Sequence, residues 1–184
     1  MKNSFKKILM KDASISENLR KLDNKTSHFF AVFFAHSADS WYWLAFLSFI
    51  WLFSKSTWHT YSAFLATSVL IQAVLVLAIK FVIKRRRPEG DWGAIYRNSD
   101  PHSFPSGHAT RAAMLSVIFW GLNLIPIAII LTIWTFLVSF ARVILGVHYF
   151  SDIVGGWLLG IAFGFGMLWL QPFLYHAFPF LFFR

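Results

Sequence analysis

The chain reads as an all-α, integral membrane helical bundle of about five transmembrane helices, preceded by a polar interfacial segment with its own helix. Three observations predict this. The 184 residues are 57% hydrophobic and 14% charged, against roughly 25% charged in soluble domains. Apolar runs approaching the roughly 20 helical residues that a bilayer core requires alternate with short polar breaks. Between Asp100 and Phe183 the only charged side chains are Arg111, Arg142 and Asp152.

Taken in order, residues 1–27 hold seven cations and three acids and predict an interfacial helix after a disordered start. The apolar stretch His28–Ala38 is too short to span and is expected to lie in, or dip into, the interface. The break His36-Ser37-Ala38-Asp39-Ser40 offers an N-cap for a first span over about residues 40–54. A second span covers about 58–83, with its helix continuing to Arg87, where Pro88 forbids extension. Residues 88–105 form a long polar loop. A third span, about 106–122, opens at Ser106. Asn123 and Pro126 turn the chain into a fourth, about 125–143. Leu145-Gly146-Val147 turns it again into a fifth, about 148–170. Gly155, Gly156, Gly160, Gly164 and Gly166 give that last span small-residue spacings that suit close helix contact. Pro172 and Pro179 break up the aromatic tail. The chain divides into a polar N-terminal segment, 1–39, and a transmembrane unit, 40–184.

The composition also excludes function classes. A formal net charge of +9 favours anionic lipid surfaces and phosphorylated headgroups. Nucleic acid is a poor partner, because the cations flank apolar spans and form no single solvated face. With no cysteine, disulfides and thiolate metal sites are excluded, and no metal-binding cluster or cofactor motif is visible. The N-terminus does not read as a signal peptide, lacking an apolar core before residue 28. Nothing in the sequence sets the oligomeric state.

Charge at membrane depth is costly and marks function by default. Lys80 and Arg87 are seven apart, which on one continuous helix puts an ammonium and a guanidinium on one face, able to share a phosphate. The plain alternative for Lys84, Arg85 and Arg86 is snorkelling to headgroups. Ser106 stands at a helix start with Gly107 behind it; free backbone N–H groups there suit an anion, although simple capping by Ser106 needs no ligand. His108 falls in the first turn beside that anion, placed for proton transfer. His148 and Asp152, four apart, are expected to share a helix face, so that the carboxylate fixes the imidazole tautomer and frees the other nitrogen as nucleophile or base. Arg142 can neutralise charge on the group attacked. Because the spans alternate in direction, all three clusters fall on one side of the membrane.

Lys80-x6-Arg87-Pro88, then Pro105-Ser106-Gly107-His108, then Arg142-x5-His148-x3-Asp152 together resemble the three-part signature of the type 2 phosphatidic acid phosphatase superfamily, which includes vanadium haloperoxidases. The order and spacing match throughout, the apolar spans point to its membrane lipid-phosphate phosphatase branch, and residues 40–170 fit the helical core. Ala141 stands where the signature has serine, removing one hydroxyl near the site. The resemblance implies a metal-independent, cofactor-free phosphatase working through a phosphohistidine. It implies His148 as nucleophile oriented by Asp152, and His108 as acid and then base. Lys80, Arg87, Ser106, Gly107 and Arg142 would hold the phosphoryl oxygens.

Arg111, three residues after His108, is expected to touch a headgroup or to pair with an acid such as Asp100. The loop residues Glu89, Asp91, Tyr96, Arg97 and His102 are expected to form a lid that sets headgroup preference. His28, His36, His59 and His176 read as interfacial, being isolated from other titratable groups.

The leading expectation is a membrane enzyme acting on a lipid phosphomonoester or diphosphate, with membrane lipids as its surroundings. Undecaprenyl diphosphate, phosphatidylglycerophosphate, phosphatidic acid and a lipid A phosphate all suit it. The alternative is a non-catalytic phospholipid headgroup binder or transporter, but binding alone needs neither a nucleophile nor an acid. The expected location is a bacterial cytoplasmic membrane. The seven N-terminal cations argue for a cytoplasmic site; the resemblance favours an extracytoplasmic one.

Overall fold

A computed structural model describes residues 2–89 and 100–183. The elements are α1 (Lys2–Arg20), α2 (Lys25–Ser37), α3 (Ser40–Phe53), α4 (Thr57–Ile83), α5 (Gly107–Gly121), α6 (Ile125–Ile144), α7 (Phe150–Ala177) and the single turn α8 (Pro179–Phe182). Among the described residues there is no strand, only an isolated antiparallel bridge between Arg86 and His102. Among the described residues three helices, α4, α6 and α7, are long and apolar enough to cross a bilayer. The other two expected spans, α3 and α5, have 14 and 15 residues. Large apolar side chains such as Phe49, Val74, Leu158 and Trp169 point outward, as they must where the solvent is lipid.

The glycines of α7 decide how the bundle closes. A Cβ on Gly160 would lie 2.3 Å from the Thr110 carbonyl oxygen, and one on Gly156 would lie 2.9 Å from that of Ser106. Both are impossible contacts with backbone, so only glycine lets α7 lie this close to the start of α5. That contact brings the Ser106 N–H within 3.1 Å of the Asp152 carbonyl, joining two of the polar clusters directly. Gly164 also abuts α5 and Gly155 abuts Phe104, whereas Gly166 faces open space.

The N-terminal part packs on the bundle. The expected disordered start is helical from Lys2. Asn24 and Ser27 form a capping box that starts α2, and its Ala31 and Ala35 bury against Ala141, Leu145 and Val147. Asp12 of α1 accepts the Ser151 N–H at 2.9 Å, and the Phe150 N–H reaches Ser16 Oγ at the same distance.

Three boundaries differ from expectation. Helix α4 does not continue to Arg87 but stops at Ile83, because Lys84 turns left-handed (φ 52°) with its N–H on the Lys80 carbonyl. Beyond it, the chain is drawn out by the Arg86–His102 bridge and by the Ser103 N–H on the Arg85 carbonyl at 2.8 Å. Pro88 likewise disfavours a helical Arg87. Helix α7 begins at Phe150, so His148 lies in the turn before it, and it runs through Pro172 to Ala177. Membrane helices tolerate such a proline when neighbours compensate the lost donor. Asp39 precedes α3, but its side chain makes no capping bond; the carboxylate is used elsewhere.

Candidate active site

The turn between α6 and α7 presents His148. Gly146 takes φ 65°, a left-handed conformation that favours glycine. The Arg142 carbonyl then accepts both the Val147 and His148 N–H groups, at 3.2 and 3.3 Å. Asp152, in the first turn of α7, accepts the Tyr149 N–H at 2.9 Å on Oδ2 and Arg85 Nη1 at 2.7 Å on Oδ1. His148 Nδ1 lies 3.4 Å from Asp152 Oδ2, an ion-pair separation without the alignment of a hydrogen bond. Catalytic contacts are often this loose before substrate arrives. The pair meets across a turn and not, as expected, along one helix face.

The other ring nitrogen faces the cations. Arg87 Nη1 is 3.3 Å from His148 Nε2. A guanidinium only donates, so Nε2 accepts and the ring proton belongs on Nδ1, toward Asp152. Burial, then the neighbouring Arg87, Arg142 and Lys80 charges, push this imidazole well below its usual pKa. It is therefore neutral, with a lone pair on Nε2 facing the positive cluster.

Lys80 and Arg87 meet through a shared acceptor instead of a shared helix face. Asp100 Oδ2 takes Lys80 Nζ and, at 2.7 Å, Arg87 Nη2. Arg87 also donates to the Asp100 and Val147 carbonyls at 2.7 and 2.8 Å, and Lys80 to the His102 carbonyl at 3.1 Å. Lys80, Arg87 and Arg142 are all buried. The early stop of α4 lets Arg87 turn inward to reach His148.

Ser106 does cap α5, its Oγ accepting the Ala109 N–H at 3.5 Å. Gly107 packs on Val76, where an added Cβ would make an ordinary 3.5 Å contact; packing alone does not require glycine there. Gly107 and His108 line a cleft of about 290 Å³ together with Lys80, Asp100, Arg111 and Ser40. His108 Nε2 donates to Asp39 Oδ1 at 2.6 Å, and His36 Nδ1 lies 3.1 Å from Asp39 Oδ2. Burial alone would raise the Asp39 carboxyl, but the His108 and His36 contacts outweigh it and hold the pKa down to about 2. Each of the two site histidines thus faces a carboxylate of its own.

Several sequence expectations fail here. Arg85 does not snorkel: it bridges Asp152 and Asp12 (2.6 Å to the latter) and stacks over Tyr149 at 4.2 Å. Lys84 and Arg86 are exposed, as snorkelling requires. Arg111 donates to the Ala38 carbonyl, where pairing with Asp100 was the expected alternative to a headgroup contact. His36 and His28 are not isolated, since each pairs with an aspartate. Asp39 was visible only as a helix cap; an ionisable residue in a tight break between apolar helices was the signal. Of the expected lid, Glu89 and His102 lend carbonyls to Arg20 and Lys80, while Asp91, Tyr96 and Arg97 lie outside the described residues. Among the described residues no three His, Cys, Asp or Glu side chains group as metal ligands.

The sequence profile of the PAP2 superfamily matches residues 61–175, from within α4 to within α7, a stretch that includes every motif residue above. The chain belongs to this superfamily. A curated relative, the decaprenylphosphoryl-5-phosphoribose phosphatase of Mycobacterium tuberculosis, is 34% identical over 102 residues, 54% of either chain. The chain thus spans about half the length of the curated relatives it matches. The PAP2-type phosphatidylglycerolphosphate phosphatase of Bacillus subtilis superposes with a TM-score of 0.74 at 22% identity, over 91% of this chain and 87% of that one. Aquifex aeolicus LpxE gives 0.68 at 24% identity, over 85% and 93%. These PAP2 neighbours share the membrane helical fold.

Proposed function

We propose that this PAP2 protein is a lipid-phosphate phosphatase working through a phosphohistidine. The observation that carries this reading is the 3.3 Å approach of His148 Nε2 to Arg87, which sets an unprotonated nitrogen beside a buried cationic cluster. His148 Nε2 attacks phosphorus, and the ester P–O bond breaks as the leaving oxygen takes a proton from His108. The new P–N bond is then cleaved by water, whose proton returns to His108, and His148 recovers its lone pair. The net reaction is lipid phosphate plus water to lipid alcohol plus inorganic phosphate.

Asp152 keeps the proton on Nδ1, and Arg85 holds Asp152 in place. Lys80, Arg87, Arg142, Ser106 and the Gly107 amide stabilise the phosphoryl oxygens, which take the place that Asp100 Oδ2 now occupies. Positioning and charge stabilisation supply most of the rate in phosphoryl transfer. A non-catalytic headgroup binder is disfavoured by the two carboxylate-held histidines, which binding does not need.

No metal enters this scheme. Vanadate, which adopts a five-coordinate phosphorane-like geometry, is expected to inhibit phosphate release in detergent, and EDTA to leave the rate unchanged. Strong EDTA inhibition reversed by Mg²⁺ would replace this mechanism with a metal-assisted one.

Five spans, including the short α3 and α5, would put the N-terminus and the site on the same side. The site is assigned to the extracytoplasmic face on the family resemblance. A single cysteine introduced near residue 95 is expected to react with an impermeant maleimide in intact cells. Labelling only after lysis would assign it to the cytoplasmic face.

A further inference from the structure

One buried polar side chain in the cleft takes no part in this mechanism. Gln72 is fully buried on α4, and neither its Oε1 nor its Nε2 has a hydrogen-bond partner among the described residues. It lines the same cleft as Lys80, Gly107, His108 and Arg111. Residues 72, 76 and 80 share one face of α4, with Gln72 about 12 Å from Lys80 along the axis, toward the middle of the span.

Across from it runs α5. Val76 faces Gly107, 3.5 Å from where a Cβ there would sit. One turn farther from the catalytic end on each helix stand Gln72 and Arg111. Arg111 is also buried: one Nη bonds the Ala38 carbonyl, while its Nε has no partner among the described residues. Two buried polar groups with donors to spare therefore line one cleft, inward of the phosphate cations. Leaving buried donors unmatched is costly, and leucine at position 72 would avoid the cost. Such an arrangement is explained by a ligand that supplies the missing acceptor.

We infer that Gln72 and Arg111 form a second subsite that binds an acceptor oxygen on the leaving-group side of the lipid phosphate. The inference rests on the phosphatase reading and narrows its substrate. A bare isoprenoid monophosphate offers only hydrocarbon beyond its ester oxygen and leaves the subsite unmatched. A glycerolipid supplies an acyl ester carbonyl there, and an isoprenoid diphosphate supplies a second phosphate.

The test uses the full chain in detergent with four substrates: diacyl phosphatidic acid, its dialkyl ether analogue, an isoprenoid monophosphate and an isoprenoid diphosphate. For the wild type and Gln72→Leu, kcat/KM is measured on each. One ratio, diacyl over dialkyl or diphosphate over monophosphate, is expected to fall on the order of ten-fold in the variant, the scale of one lost hydrogen bond to a charged or carbonyl partner. The ratio that falls identifies the source of the oxygen. The melting temperature is not expected to drop, because an unmatched amide has been replaced by hydrocarbon. Gln72→Met, close in length and volume, serves if the leucine variant fails to fold. Unchanged ratios overturn the subsite, as does a parallel loss on all four lipids, which is the mark of a merely structural residue. A wild type that releases no phosphate from any of them overturns the phosphatase reading and this inference with it; activity with unchanged ratios overturns this inference alone.

Discussion

His148→Ala is expected to abolish phosphate release from lipid substrates, lowering kcat by on the order of 10⁴-fold or more, the scale on which removal of a covalent nucleophile acts. The imidazole directs a neutral nitrogen lone pair at the cations that would grip a phosphate. His148 is also buried, so its loss leaves a void; a melting curve must accompany the assay to show that the variant is folded. A chemical readout separates nucleophile from ligand. The wild type, quenched during turnover, is expected to carry a phosphoryl group that is labile in acid and stable in alkali, as phosphohistidine is, and His148→Ala to carry none. A folded variant that still turns over within ten-fold of wild type would end the assignment.

The second large effect is expected at Asp39. Its carboxylate, held ionised down to about pH 2, takes the His108 proton donor at 2.6 Å. Under the proposed mechanism, this charge favours the protonated imidazole that would serve the leaving oxygen. Asp39→Asn keeps the shape and removes the charge, so kcat on a lipid alkyl phosphate is expected to fall about 10²-fold, within the range of general acid catalysis. The sign of the pH effect follows: without the carboxylate, the alkaline limb of the rate profile moves to lower pH. A substrate with a good leaving group, such as p-nitrophenyl phosphate, needs little protonation and is expected to suffer far less. Equal losses on both substrates would show that Asp39 supports only the structure.

Much of this site is legible in the chain, because chemistry so unusual for a membrane span stands out. Lys80, Arg87, His108, Arg142, His148 and Asp152 are visible as charge and imidazole where hydrocarbon is expected, and their spacing carries the family. How they meet is not legible. Their spacing of seven predicts that Lys80 and Arg87 share a helix face, yet they converge because Lys84 breaks the helix and Arg87 swings back. Arg85 looked like one of three surface cations, and only the folded chain places it between Asp12 and Asp152. Gln72 carries no local signal, since burial without a partner is a property of packing.

Composition and local spacing by themselves determined the membrane-embedded helical class and the order of its helices, and they singled out the charged and imidazole groups expected to handle a phosphate. These follow from the cost of charge in lipid and from helical periodicity, which act over a few neighbouring residues. Tertiary structure alone decided that the α7 glycines press Asp152 against Ser106, that Asp39 stands behind His108, and which face of α4 lines the cleft with Arg111. Such contacts join residues tens of positions apart. They depend on how whole helices fit against one another, and no local pattern encodes that.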